Sequence, residues 1–202
     1  MRNLYLIRHG STEANEKWLY CGATDIPLSV NGRAELKRKK RYDDYPDMKD
    51  ARIYTSGLLR TEETLNILFG TLPHYAFREF AETNFGVFEM KSYESLKEND
   101  VYQKWISGDY DENIAPGGES SNMMRDRVIK KLNELLEEDG DILIVCHGGP
   151  IVAIMQYFFA ERNLNRYEWQ PKGGEGYHII LDGTAPVSYS PIPVIHEKSP
   201  IF

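Results

Sequence analysis

Two short apolar runs that end in the same dipeptide constrain this chain more than any other feature. Leu4-Tyr5-Leu6-Ile7 runs into Arg8-His9-Gly10, and Ile142-Leu143-Ile144-Val145-Cys146 runs into His147-Gly148-Gly149. Apolar runs of this length without alternation read as strands buried on both faces, the pattern of a parallel sheet. In open α/β sheets, ligands bind beyond the carboxyl ends of the strands. Two such strands placed side by side near the sheet centre would aim both imidazoles, His9 and His147, at one pocket.

The rest of the chain alternates helical and strand patterns around these units. Ser11-Thr12-Glu13-Ala14-Asn15-Glu16 reads as a polar turn opening a helix, with capping oxygens and free backbone N–H groups beside His9 that would cradle an anion. Residues 21–28 are a turn-rich loop and 29–42 a helix. Its basic run, Lys37 to Arg41, reads as a solvated helix end complementing the dipole, because consecutive residues point to different sides. A strand follows over 51–56, and a helix over 57–69 stops at Gly70. Arg60 lies in that helix's first turn, where the dipole disfavours a cation. It is placed either to face an anion or as a surface arginine paired with Glu63 or Glu79.

Residues 71–118 read as an inserted lobe with a helical section over 92–107, closed by the turn Pro116-Gly117-Gly118. Ser120 or Ser121 caps the next helix, whose stripe of Met124, Val128, Leu132, Leu135 and Leu136 runs on towards Gly140. An apolar helix is expected over 150–160 and a strand over 176–181. The tail, 183–202, carries Pro186, Pro191, Pro193 and Pro200 and reads as extended, lying along the sheet edge or over the site. The expected fold is therefore α/β: a three-layer α/β/α sandwich with a mostly parallel central sheet and a small helical insertion over the active site. One domain spans 1–202.

Composition removes several classes of function. Lys+Arg 24 against Asp+Glu 31 gives a formal charge of -7, which argues against a nucleic-acid binder. Cys21 and Cys146 are too few for a disulfide scaffold, and together with the absence of an apolar leader they predict a reducing, cytoplasmic setting. No apolar run approaches a membrane span. Metal binding is not expected: the histidines lack the close spacing of a zinc helix, and neighbouring arginines repel a cation. Cys146, adjacent to His147 on a strand and so facing the other way, reads as core and not as a nucleophile. His74, His178 and His196 lack a motif and read as structural. An anion fits what remains, since arginine forks match phosphate oxygens and a histidine can attack phosphorus.

These blocks resemble the histidine phosphatase superfamily, in its phosphoglycerate-mutase-like branch. Arg8-His9-Gly10 with Thr12 and Asn15 is similar to its opening motif, and Thr24-Asp25-Ile26-Pro27-Leu28-Ser29 with Gly32-Arg33-Ala34 to the segment that follows. Ser56-Gly57-Leu58-Leu59-Arg60-Thr61 with Thr64 resembles the block bearing the second arginine. Glu82 with Phe85-Gly86 and Glu89 resembles the acid-bearing block, and Pro116-Gly117-Gly118-Glu119-Ser120 the turn before the long helix. His147-Gly148-Gly149 resembles the block of the second histidine. The family's usual glycine after the Glu89 position is Met90 here, which brings the local turn into question.

The resemblance implies His9 as the phosphorylated nucleophile, with Arg8, Arg60 and His147 around the equatorial oxygens and Glu82 as a half-buried proton donor and acceptor. It implies substrate contacts from Asn15, Thr12, Cys21, Gly22 and Gly148. No cofactor is implied, so full activity is expected in the presence of a chelator. The implied partner is a small phosphorylated metabolite, with neither nucleic acid nor membrane. Between hydrolysis and mutase chemistry, residues 91–115 favour hydrolysis: Lys91, Lys97 and Lys104 face six carboxylates there, a poor grip for a small dianionic acid. A non-catalytic phospho-ligand module is the third reading, and it would be favoured by loss of His9, Arg60, Glu82 or His147, all of which are present.

Overall fold

The computed structural model describes residues 1–109 and 111–194. In chain order the elements are β1 (Arg2–Arg8), α1 (Glu13–Glu16), α2 (Val30–Tyr42), β2 (Arg52–Thr55), α3 (Leu59–Phe69), β3 (Tyr75–Ala76), α4 (Tyr93–Leu96) and α5 (Asp100–Ser107). They continue with α6 (Ser121–Leu136), β4 (Ile142–Cys146), α7 (Gly148–Phe158), α8 (Arg166–Trp169), β5 (Gly176–Asp182) and β6 (Ala185–Ile192). The sheet order is β3-β2-β4-β1-β5-β6. The first four of these strands run parallel, and β5 and β6 add antiparallel at one side. The expected three-layer architecture is what the chain adopts.

Alternation along the central strands builds the two outer layers. Leu4, Leu6, Ile142, Ile144 and Cys146 pack with Met124, Val128 and Leu132 of α6 and with Ile151, Ile154 and Met155 of α7. Ile7, Leu143 and Val145 point the other way, onto Leu36 of α2 and Leu65 and Leu68 of α3. Leu4, Leu6, Ile142 and Ile144 are fully buried, and each contributes about 1.5–3 kcal/mol relative to exposure. The central pair β1 and β4 is thus held from both sides, with Arg8 level with Cys146 in the register.

Three local expectations are corrected. The helical section over 92–107 is two helices, because Asn99 caps α5 by accepting from the N–H groups of Val101 and Tyr102. Phe88, Leu96, Tyr102, Trp105 and Ala115 form a small core of their own there. Lys39 is not part of a solvated helix end: its ammonium is buried, donating to Gly173 O at 3.0 Å and Glu175 Oε1 at 2.6 Å. The helix expected over 150–160 begins at Gly148, since a proline within the first helical turn forfeits only an N–H that has no partner in the helix.

The described part of the tail, residues 183–194, lies along the sheet edge, the first of the two placements expected for it. Residues 185–192 form β6, paired antiparallel with β5, and an edge strand tolerates Pro186 and Pro191. Pro200 and His196 lie outside the described residues. Met90 keeps the left-handed turn that glycine would favour, at φ 58°, and its N–H donates to Tyr20 O at 2.7 Å. A methionine held there costs about 1–2 kcal/mol.

Candidate active site

β1 and β4 end side by side, and each delivers a histidine to the sheet's carboxyl edge. The His9 N–H continues the ladder onto Cys146 O at 2.9 Å. The rings of His9 and His147 stand 5.0 Å apart, centroid to centroid, at 63°. His9 Nδ1 lies 2.6 Å from Gly10 O, and a carbonyl only accepts, so Nδ1 carries the proton and Nε2 is left with its lone pair. Burial, followed by the Arg60 and Arg8 charges, lowers the His9 pKa to about 3. The same burial, with His9 and both arginines, holds His147 well below its ordinary value. Both rings are neutral at physiological pH. His147 fills the N-cap position of α7, with Nε2 2.8 Å from Ser56 Oγ.

Arg60 is only 1% exposed, with no carboxylate partner among its hydrogen bonds. Its Nη1 donates to Thr24 O at 2.8 Å, Nη2 to Gly22 O at 2.7 Å and Nε to His147 Nδ1 at 3.3 Å. Of the partners weighed for a surface arginine, Glu63 is bound to Arg33 at 2.8 Å and Leu28 N at 3.0 Å. Two of the five guanidinium N–H groups remain for a ligand.

The loop that holds Arg60 is in turn held by Glu89. That carboxylate accepts from the N–H groups of Gly22, Ala23, Thr24 and Phe85 and from Thr24 Oγ1. Gly22 is required for this approach, since a Cβ there would stand 1.6 Å from Thr83 O. Arg8 is half-buried and tied by Nη1 to Pro171 O at 2.8 Å.

Glu82 is half-buried at the start of α7. It accepts from Thr83 N and Gly149 N, each at 2.9 Å. One cavity opens at His9 and another at Glu82. One, of about 290 Å³, is lined by Arg8, His9, Ser11, Asn15, Glu35, Lys172 and Gly173. The other, of about 490 Å³, has Glu82 in its wall with Tyr20, Phe85, Val152, Tyr167 and Gln170.

The five residues assigned to chemistry therefore cluster, while those assigned to substrate contact divide. Asn15 lines the first cavity. Thr12 is buried and closes a capping box with Asn15, so the open N–H cradle expected beside His9 is partly filled: Thr12 N and Oγ1 both donate to Asn15 Oδ1 at 3.0 Å. Gly22 N is taken by Glu89. The Cys21 thiol, half-buried near Arg60, has a raised pKa, chiefly from burial. Gly148 packs against Gln170, where a Cβ would meet Nε2 at 2.7 Å.

Sequence reasoning missed the supports around these residues. Thr64 Oγ1 accepts from Gly10 N at 3.0 Å, and the loop of Lys172 and Gly173 walls the first cavity from far along the chain. His178, stacked on Tyr5 and bonded to Asn3 at 2.8 Å, and His74, between Leu72 O and Glu62, are structural as expected. Among the described residues, no helix is long and apolar enough to cross a membrane.

Two neutral histidines and two arginines at one sheet edge, beside a carboxylate, define an oxyanion-handling α/β site. Residues 4–179 match the family model of the histidine phosphatase superfamily (branch 1), and the chain belongs to that family. It is 30% identical over 159 residues to human 6-phosphofructo-2-kinase/fructose-2,6-bisphosphatase 4, covering 78% of this chain and 33% of that protein. The chain thus spans about a third of the length of such curated relatives. Among solved structures it is similar to the alpha-ribazole phosphatase from Shigella flexneri, at 27% identity and a TM-score of 0.76 over 91% of this chain and 93% of that one. A putative alpha-ribazole-5'-P phosphatase from Escherichia coli str. K-12 substr. MG1655 shares the fold, with a TM-score of 0.80 at 23% identity, covering 100% and 99% of the two chains.

Proposed function

We propose that this chain hydrolyses phosphomonoesters of small metabolites through a phosphohistidine on His9. The observation that carries the reading is the fixed tautomer: with Nδ1–H on Gly10 O, the lone pair sits on Nε2, beside His147 and two arginines. Nε2 attacks phosphorus in line, the N–P bond forms and the ester P–O bond breaks. Glu82 gives its proton to the departing oxygen. Water then attacks phosphorus, its P–O bond forming as the N–P bond breaks and the electron pair returns to His9 Nε2; its proton goes to the Glu82 carboxylate and inorganic phosphate leaves. Charge on the equatorial oxygens is met by Arg8, by the two spare N–H groups of Arg60 and by His147. When a phosphoryl oxygen displaces the long 3.3 Å contact from Arg60 Nε to His147 Nδ1, His147 serves it in the other tautomer, with Nδ1–H donated to that oxygen and Nε2 accepting from Ser56 Oγ.

Hydrolysis is favoured over mutase chemistry by the phosphatase names of the relatives and by the roughly 490 Å³ cavity on the Glu82 side, roomy for a three-carbon acid. The test is a panel: p-nitrophenyl phosphate, α-ribazole 5'-phosphate, fructose 2,6-bisphosphate and other phosphorylated sugars, with 3-phosphoglycerate plus a bisphosphoglycerate primer run separately. Inorganic phosphate is expected from at least one ester, undiminished by chelator. Isomerisation without phosphate release would make the chain a mutase, and binding without turnover a phospho-ligand module.

A further inference from the structure

Arg127, on α6, belongs to no motif assigned above, yet all five of its N–H groups are engaged. Nη1 donates to Glu79 O at 2.7 Å and Ala81 O at 2.9 Å, and Nη2 to Glu82 O at 3.0 Å. Nη2 and Nε grip Glu119 at 2.6 and 3.0 Å as a two-pronged pair. Glu119 reaches round to the far side of the same loop, where its Oε1 accepts from Asn84 N at 2.9 Å and its N–H donates to Asn84 O at 3.0 Å. The backbone before and after Glu82 is therefore clamped by one ion pair, 24% and 14% exposed at its two side chains.

We propose that Arg127 is a positioning residue for proton transfer: through Glu119 and the carbonyls of residues 79–82 it sets where the Glu82 carboxyl meets the ester oxygen. The inference rests on the proposed role of Glu82. Lysine cannot reproduce it, since an ammonium lacks the planar fork that spans three carbonyls and a carboxylate at once. The clamp makes no hydrogen bond to either arginine or either histidine of the site, and Arg127→Lys keeps the positive charge whose field reaches His147, so the variant leaves the phosphoryl cluster in place.

A general acid matters most when the departing oxygen is strongly basic, and little for p-nitrophenolate, which is stable as an anion. The value of kcat/KM reports the step up to phosphoryl transfer, whatever limits later turnover. Arg127→Lys is therefore expected to lower kcat/KM for an alkyl phosphomonoester by roughly 10- to 100-fold, part of the 10²–10⁴ that an acid supplies. The fall for p-nitrophenyl phosphate should be under about threefold and inhibition by inorganic phosphate nearly unchanged, because a general acid does not act on the phosphoryl oxygens. Glu119→Gln carries the same expectation should the lysine variant not accumulate as folded protein. Equal losses on both substrates, or no loss on either, would overturn the proposal. Glu82→Gln run beside it separates the two claims: a leaving-group split there without one in the Arg127 and Glu119 variants sinks this inference alone, whereas no split in E82Q sinks the role of Glu82 itself.

Discussion

Replacing His9 with asparagine is expected to lower kcat/KM for any accepted phosphomonoester by about 10⁴-fold or more, the scale on which a nucleophile knockout acts. His9 lies at the end of the central strand β1, buried between His147 and the arginines, and its proton is fixed on Nδ1 by Gly10 O. No other side chain in the cluster offers a neutral lone pair towards the cavity: the arginines are cations, and both ring nitrogens of His147 face protein partners, Ser56 and Arg60. Asparagine keeps polarity and part of the volume, so the fold should survive. Affinity for inorganic phosphate should change less than about tenfold, since Arg8 and Arg60 supply most of the charge-assisted hydrogen bonds. Steady-state kinetics with phosphate inhibition checks both halves, and substantial residual turnover would remove His9 from the mechanism.

The second large effect is on stability in acid. His9 is held at about pKa 3 and His147 well below its ordinary value, both chiefly by burial, whereas in the unfolded chain each titrates near 6.5. Below about pH 6.5 the unfolded chain therefore binds protons that the native chain refuses, so stability rises with pH and falls on acidification. At pH 5 the loss from His9 is about 2 kcal/mol relative to neutral pH, and His147 adds to it with the same sign, a sizeable share of a typical 5–15 kcal/mol. His178, lowered mainly by burial, adds a contribution of the same sign. His74 opposes it: its pKa is raised, so its contribution is present in acid and fades as pH rises through the raised value. Urea unfolding between pH 8 and 5 should show the decline. His9→Asn should flatten it by roughly 1.4 kcal/mol per pH unit towards the acid end, the share of one proton. A flat profile in the parent would mean that the rings are not neutral.

Much of this site was legible because its parts sit at the ends of strongly patterned elements. The two strand–His–Gly units announced themselves by apolar runs, and their adjacency near the sheet centre followed from the need for both histidines to reach one pocket. Arg60 was legible as a cation in the wrong turn of a helix. What escaped was whatever depends on groups far apart in the chain. Lys39 reaching Gly173 and Arg127 gripping residues 79–82 are ordinary charged residues in sequence, Glu89 stood in a block without its task of collecting the N–H groups of residues 22–24, and only the tertiary fold brings these partners near. The extended run along the sheet edge was legible for residues 185–192, but its pairing as strand β6 was not, because proline penalises a central strand whereas an edge strand accepts it. The start of α7 escaped because Gly148-Gly149 reads as loop, yet the N–H of Gly149 is the one that Glu82 uses.

The most direct test is to mix the chain with a phosphomonoester labelled in its phosphoryl group, quench within a single turnover and map the label. The account predicts a phosphoryl group stable to alkali and labile to acid, on His9 alone, approaching about one per chain and absent from His9→Asn, as expected of a covalent intermediate. Label on any other residue, or complete product release in that turnover with no label at all, would contradict it.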